Sequence, residues 1–102
     1  MPRKYDGLID GPMRYGHRVC WTGVDYLVIP WPGHSQDPKR AMAAVSHYAR
    51  HNGTPTFIHS VEWRAYVDEI HVDELGRATY TRAHGAERAW AGTAHIVRAG
   101  IV

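Results

Sequence analysis

The chain has 102 residues, of which 12 are Lys or Arg, 10 are Asp or Glu and 8 are His, giving a net charge of +2. This length suits a single globular domain, residues 1–102, and so small a net charge does not demand a nucleic-acid partner. The only cysteine, Cys20, excludes an internal disulfide. The sequence shows neither a signal-peptide core nor the roughly 20 apolar residues of a membrane span, so we expect a cytoplasmic protein without membrane association.

The first third of the chain predicts two strands after an irregular start. Residues 1–16 are interrupted by Gly and Pro and follow no sustained period, which indicates an irregular N-terminal arm, with a short edge strand around 5–9. Residues 19–21 favour a strand, and the continuous apolar run 26–29 suits a strand buried on both faces, expected at the centre of the sheet. The prolines in residues 30–33 end that strand.

Residues 38–51 predict the single long helix. Asp37 can cap its first turn, Pro38 suits the first helical position, and Gly53 supplies the left-handed residue that ends it. Its apolar side chains recur at helical spacing and define an inner face that packs on a sheet. That predicted inner face consists of Ala41, Met42, Val45, Tyr48 and Ala49.

The rest of the chain predicts three further stretches of strand. Residues 55–60 return as a strand, which places the helix in a β-α-β unit, and residues 61–72 and 77–82 form a hairpin. Trp63, Ala65 and Val67 share one parity while Ile70 and Val72 have the other, so a bulge near residues 68–69 is expected to turn both sets to the core. Residues 84–92 form a helical turn or loop holding Trp90, and residues 93–101 form a last strand.

These elements predict an α+β fold. We expect one mixed or mainly antiparallel sheet of about five strands, with the helix at 38–51 packed on one face. The uncovered face is compatible with a homodimer.

Histidine is unusually frequent, and two groups of residues have spacings that suit metal binding. His47 and His51 stand at i and i+4 on one helix face, although the residues between them lack the Glu of the zinc-protease pattern. Strand alternation places Glu69, His71 and Asp73 together on one face. In both cases solvated surface residues are the simpler interpretation, and no metal or other cofactor is expected.

Aromatic and arginine side chains suggest a binding surface. Four Trp and six Tyr exceed what so small a core needs, and aromatic residues together with Arg dominate protein interfaces. Trp31, held between two prolines, is the first candidate for an exposed anchor. The basic residues that could accompany it are Arg14, Lys39, Arg40 and Arg50.

No nucleophile elbow, P-loop, dinucleotide fingerprint or paired-cysteine zinc motif occurs, and no catalytic residue is assigned. The sequence therefore favours a small non-catalytic binding protein, an adaptor or inhibitor, that docks a macromolecular partner through exposed aromatic and Arg residues. A protein partner is favoured over nucleic acid. Two alternatives stay open: a nucleic-acid-binding module using Lys39, Arg40, Arg50 and the N-terminal arm, and a small histidine-dependent metalloenzyme.

Overall fold

The computed structural model describes residues 17–30, 37–74 and 77–100. The predicted N-terminal arm, with its short strand at 5–9, lies outside these ranges. The elements within them are β1 (His17–Trp21), β2 (Asp25–Pro30), α1 (Pro38–Asn52), β3 (Ile58–Val72), β4 (Ala78–Arg82), a short 3₁₀ helix (Gly85–Ala89) and β5 (Gly92–Ala99).

The strands form one curled antiparallel sheet in the order β1-β2-β5-β3-β4, and α1 packs against β1 and β2. The predicted α+β fold is confirmed. The Cα radius of gyration is 12.8 Å, close to the roughly 13 Å expected of a single domain of about 100 residues. Among the helices of the described ranges, none combines the length and the apolar character that crossing a bilayer requires.

Helix α1 begins at the predicted residue and ends at Asn52, one residue beyond the predicted end, with both predicted caps in place. The Asp37 carboxylate accepts a 2.9 Å hydrogen bond from the backbone N–H of Lys39, and Pro38 occupies the first turn. Gly53 adopts the left-handed conformation at φ 66°, and its N–H donates to the carbonyl of Ala49. Local capping chemistry therefore fixes both ends of the helix, whatever the rest of the chain does.

The β-α-β unit is present in a split form. Strand β5 lies between β2 and β3 and is antiparallel to both, so β2 and β3 run parallel without pairing with each other. The prediction that β2 is the central strand is wrong, since β5 holds that place. The apolar run of β2 instead reflects the covering of both its faces, because Tyr26 and Val28 face α1 while Leu27 and Ile29 face the other side.

Two apolar clusters lie on opposite faces of the sheet. The helix-side cluster packs under α1 and comprises Val19, Tyr26, Val28, Ala41, Ala44, Val45, Ala49, Val97 and Ala99. The concave cluster lies inside the curl and comprises Cys20, Leu27, Ile29, Ala65, Val67, Ala78, Ala94 and Ile96. The sequence missed only Ala44 among the fully buried helix positions, and Met42 and Tyr48 are half-buried.

Three tyrosine hydroxyls hold distant segments together. Tyr26 donates to the carbonyl of Pro55 and lies 2.8 Å from the Thr54 hydroxyl, which fastens the chain after α1 to β2. Tyr80 donates a 3.1 Å hydrogen bond to the carboxylate of Asp25 across the curl. The third hydroxyl belongs to Tyr48 and accepts a 3.3 Å hydrogen bond from the backbone N–H of Trp21 on β1.

Strand β3 is a single 15-residue strand with three register shifts rather than two separate strands. Its pairing with β4 shifts between Asp68 and His71, and its pairing with β5 shifts between Ile58 and Ser60 and again between Glu62 and Ala65. Two of these shifts contain a residue with a positive φ, 55° at Arg64 and 48° at Glu69. The bulge at Glu69 is the predicted one, and it lets Val67 and Ile70 both pack on the concave cluster. The prediction that Val72 also faces the core is wrong, since Val72 is 42% exposed.

A candidate partner-binding surface

The bulge at Arg64 is built around a buried histidine. Trp63 and Arg64 together lie opposite His95 of β5, because the pairs on either side are Glu62 with Ile96 and Ala65 with Ala94. The backbone N–H of Arg64 donates a 3.1 Å hydrogen bond to Nδ1 of His95. A left-handed non-glycine residue costs on the order of 1 kcal/mol, and a buried hydrogen bond of this kind can offset that cost.

His95 is neutral at pH 7. Its side chain is 1% exposed. Burial, followed by the nearby His17 and Arg64, lowers the pKa of His95 from 6.5 to about 4. Because Nδ1 accepts a hydrogen bond, the ring proton resides on Nε2. The His17 ring lies 6.1 Å away, between ring centroids.

The bulge also sets the direction of Trp63. Its ring meets the His95 ring at 71° with 4.4 Å between centroids, and 40% of the residue stays exposed. The sequence had grouped Trp63 with Ala65 and Val67 on the core side, which is wrong. Those two residues lie in the concave cluster, whereas the bulge at Arg64 turns Trp63 to the opposite face.

Tyr66 and Arg88 extend this face. Tyr66 pairs with Thr93, two residues before His95 on β5, so its side chain shares the face of His95 and Trp63. It is 41% exposed, and the Arg88 guanidinium carbon lies 5.2 Å from the centre of its ring. This stacking holds a cation over an aromatic face at the surface.

Trp90 is the most exposed aromatic residue in the described ranges, at 82%. It ends the 3₁₀ helix, where its N–H donates to the carbonyl of Glu87, and it precedes Gly92, the partner of Val67 in the sheet. We call Trp63, Tyr66, Arg88 and Trp90 the aromatic patch. All four come from neighbouring positions of β3 and of the segment that leads into β5.

The electrostatics around the aromatic patch are mixed. Strand β3 carries one arginine, Arg64, against the three carboxylates Glu62, Asp68 and Glu69. Glu62 receives two 2.8 Å hydrogen bonds from the Arg82 guanidinium, which lower the pKa of Glu62. The positive charge of Arg82 is thereby neutralised by Glu62. The surroundings of the patch therefore offer little net positive charge to a phosphate backbone.

The three predicted binding residues that the structure describes, Lys39, Arg40 and Arg50, lie away from the aromatic patch, on α1. Trp31 and Arg14 fall outside the described residues. Lys39 and Arg40 are exposed at the start of α1, and Arg50 is exposed in its last turn. Lys39 and Arg50 share one side of the helix but lie about 16 Å apart along its axis, so the structure does not gather them into one cationic site.

The two metal-site candidates differ in geometry. The rings of His47 and His51 lie 4.1 Å apart, between centroids. Glu69, His71 and Asp73 are all exposed near the hairpin end, and the bulge at Glu69 breaks the alternation that was to place them on one face. In the described ranges no three His, Cys, Asp or Glu side chains converge as the ligands of one metal ion would.

Two further features bear on chemistry. Burial raises the pKa of the Cys20 thiol to about 11, so this cysteine is a poor nucleophile at neutral pH. A cavity of about 170 Å³ lies between α1 and β1. Its lining consists of His17, Val19, Ala44, His47, Tyr48, His51 and Asn52.

Comparison of the chain with protein-family models, with curated proteins and with solved structures found no match.

Sequence reasoning missed Tyr66, Arg88 and the exposure of Trp63. Their placement depends on the Arg64 bulge and on the pairing of β3 with β5, which no local pattern reveals. The exposure of Trp90 could have been predicted from the sequence. Residues 84–92 contain a single large apolar side chain, too little to bury the segment, and every residue from 84 to 90 is exposed.

Proposed function

We propose that this protein is a small non-catalytic adaptor or inhibitor that binds a protein partner through the aromatic patch. The supporting observation is the exposure of Trp63, Tyr66 and Trp90 at neighbouring positions of β3 and of the segment that leads into β5, with Arg88 stacked on Tyr66. Trp, Tyr and Arg are the residue types that dominate the binding energy of protein interfaces. Their rings bury large areas on association while losing few rotatable bonds.

The chemistry of the patch favours a protein segment that pairs apolar side chains with a carboxylate. The three aromatic rings supply apolar area, and the Arg88 guanidinium can bind a carboxylate in a bidentate manner while it remains stacked on Tyr66. Single-stranded nucleic acid would also stack on these rings. With Glu62 paired to Arg82 and Arg98, the remaining β3 carboxylates, Asp68 and Glu69, still balance Arg64 and Arg88, so the patch lacks the excess positive charge that a polyphosphate backbone requires.

The test compares two surface variants that carry the same number of changes. The patch variant is R88E/W90S and the helix variant is K39E/R50E, all four positions being exposed. Partners that co-purify with the tag-free native protein are identified, produced in pure form and titrated by calorimetry against the wild type and each variant. Circular dichroism and urea unfolding establish that both variants fold.

We expect the patch variant to weaken binding of the purified partner at least about 30-fold, the loss typical of an interface hot spot. The helix variant should change the affinity less than about threefold. The proposal fails if the patch variant binds as tightly as the wild type, or if only the helix variant loses binding. Tight, steeply salt-dependent binding of a single-stranded oligonucleotide that the patch variant abolishes would replace the protein partner by nucleic acid.

A further inference from the structure

The cavity between α1 and β1 has two imidazoles on its rim. His47 and His51 project from successive turns of α1, and their ring centroids lie 4.1 Å apart with 32° between the ring planes. Histidine nitrogens bind Zn²⁺ at about 2.0–2.1 Å, and two imidazoles on one tetrahedral ion place their ring centroids about 5 Å apart. The observed rings are about 1 Å closer and are stacked, so side-chain rotation that separates them and turns one nitrogen of each toward the ion is needed to reach that geometry.

The cavity beside the pair can take an ion with its water ligands. Its volume is about 170 Å³, several times the roughly 30 Å³ share of one water molecule. Asn52 is oriented there by its Nδ2, which donates a 2.9 Å hydrogen bond to the carbonyl of Tyr48. This leaves Oδ1 of Asn52 as an acceptor for a metal-bound water.

The position of the histidine pair on α1 also favours the binding of a cation. His47 and His51 occupy the last two turns of α1, where the partial negative charge of the helix end favours a cation. Arg50 opposes this effect, but its side chain is exposed, so repulsion in water and salt lowers the affinity by about fivefold at most.

We propose that His47 and His51 form a binding site for Zn²⁺ or a similar late first-row transition metal ion, completed by water at the rim of the cavity. Among the described residues no third His, Cys, Asp or Glu joins the pair, so these residues supply two ligands to the ion. The proposal is independent of the aromatic patch.

The experiment titrates ZnCl₂ by calorimetry into protein purified without an affinity tag. The wild type is compared with H47A, H51A and a double variant, S46H/H47A, that keeps the number of histidines and moves one of them to a spacing of five residues. Residues five apart point about 140° away from each other around a helix and cannot chelate one ion. The variant H59A removes an exposed histidine outside the pair.

We expect one Zn²⁺ per wild-type chain, with an affinity at least about tenfold lower in H47A, H51A and S46H/H47A, and unchanged in H59A. R50Q should bind about two- to fivefold more tightly than the wild type, because it removes the repelling charge. Equal affinity in the wild type and S46H/H47A would show that the ion binds scattered surface histidines and would overturn the proposal, as would the absence of any binding by the wild type.

Discussion

The β3 bulges at Arg64 and at Glu69 satisfy the backbone N–H of a positive-φ residue in different ways. Each places a non-glycine residue at positive φ, Arg64 at 55° and Glu69 at 48°. At Glu69 the freed N–H donates to the carboxylate of the preceding residue, Asp68, at 2.8 Å and in an exposed setting. At Arg64 the N–H donates to His95, which is buried and 31 positions away in sequence. One bulge is a local arrangement, and the other depends on the assembled sheet.

This difference predicts unequal stability effects, and the largest is expected from His95. His95→Ala removes a buried ring and the acceptor for the Arg64 N–H, which should lower the free energy of unfolding by about 3 kcal/mol. The matched change at the other bulge, Asp68→Ala, should cost only about 0.5–1 kcal/mol because water can replace the carboxylate. Urea unfolding of both variants measures the contrast, and equal losses would contradict the distinction between the two bulges.

Acid should affect the Arg64 bulge first. The pKa of His95 is about 4 when folded and 6.5 when unfolded, so the unfolded chain binds the proton more readily. The stability from the neutral ring is complete above pH 6.5 and is lost as the pH falls from 6.5 to about 4, by up to about 3 kcal/mol. Protonation also takes away the acceptor at Nδ1.

Unfolding midpoints at pH 7, 6, 5 and 4.5 test this expectation. Glu62, whose pKa is lowered by Arg82, loses its contribution only below its ordinary range near 4.5, so the two groups separate in pH. In His95→Ala the decline between pH 6.5 and 4.5 should be much shallower than in the wild type. A parallel decline in both proteins would assign the acid sensitivity to other groups.

Glycine substitutions should give the smallest effects and should be similar at both bulges. Arg64→Gly and Glu69→Gly each relieve left-handed strain of about 1–2 kcal/mol and add an unfolded-chain entropy cost of about 0.5–1 kcal/mol. We expect each to stabilise the fold by about 0.5–1 kcal/mol, while Arg64→Ala brings no gain. Thermal and urea unfolding decide this, and a destabilising Arg64→Gly would mean that its side chain contributes more than its exposure indicates.

The same contrast explains what could be predicted from the sequence. The ends of α1 were predicted from Asp37, Pro38 and Gly53, whose chemistry acts within a few residues. The Glu69 bulge was predicted because it shifts the parity between Val67 and Ile70 within one strand. These features require no knowledge of which strands pair.

The features that were missed depend on pairing between distant segments. Strand β5 comes last in the chain but lies between β2 and β3 in the sheet. No local sequence pattern indicates that these two strands are its neighbours. The exposure of Trp63 follows from the same insertion, since His95 of β5 supports the bulge that turns it outward. The sequence therefore predicted the residue types of the candidate binding surface, aromatic residues and Arg, but not which residues form it.

The hydrogen bond between Tyr48 and Trp21 has a consequence for self-association. Among the strands that the structure describes, β1 is an edge of the sheet, and unpaired backbone donors along an edge are templates for pairing with another chain. The Tyr48 hydroxyl occupies the donor of Trp21, so an incoming strand must displace it before it can pair there. The Tyr48 hydroxyl of α1 thus shields one end of this edge from intermolecular strand addition.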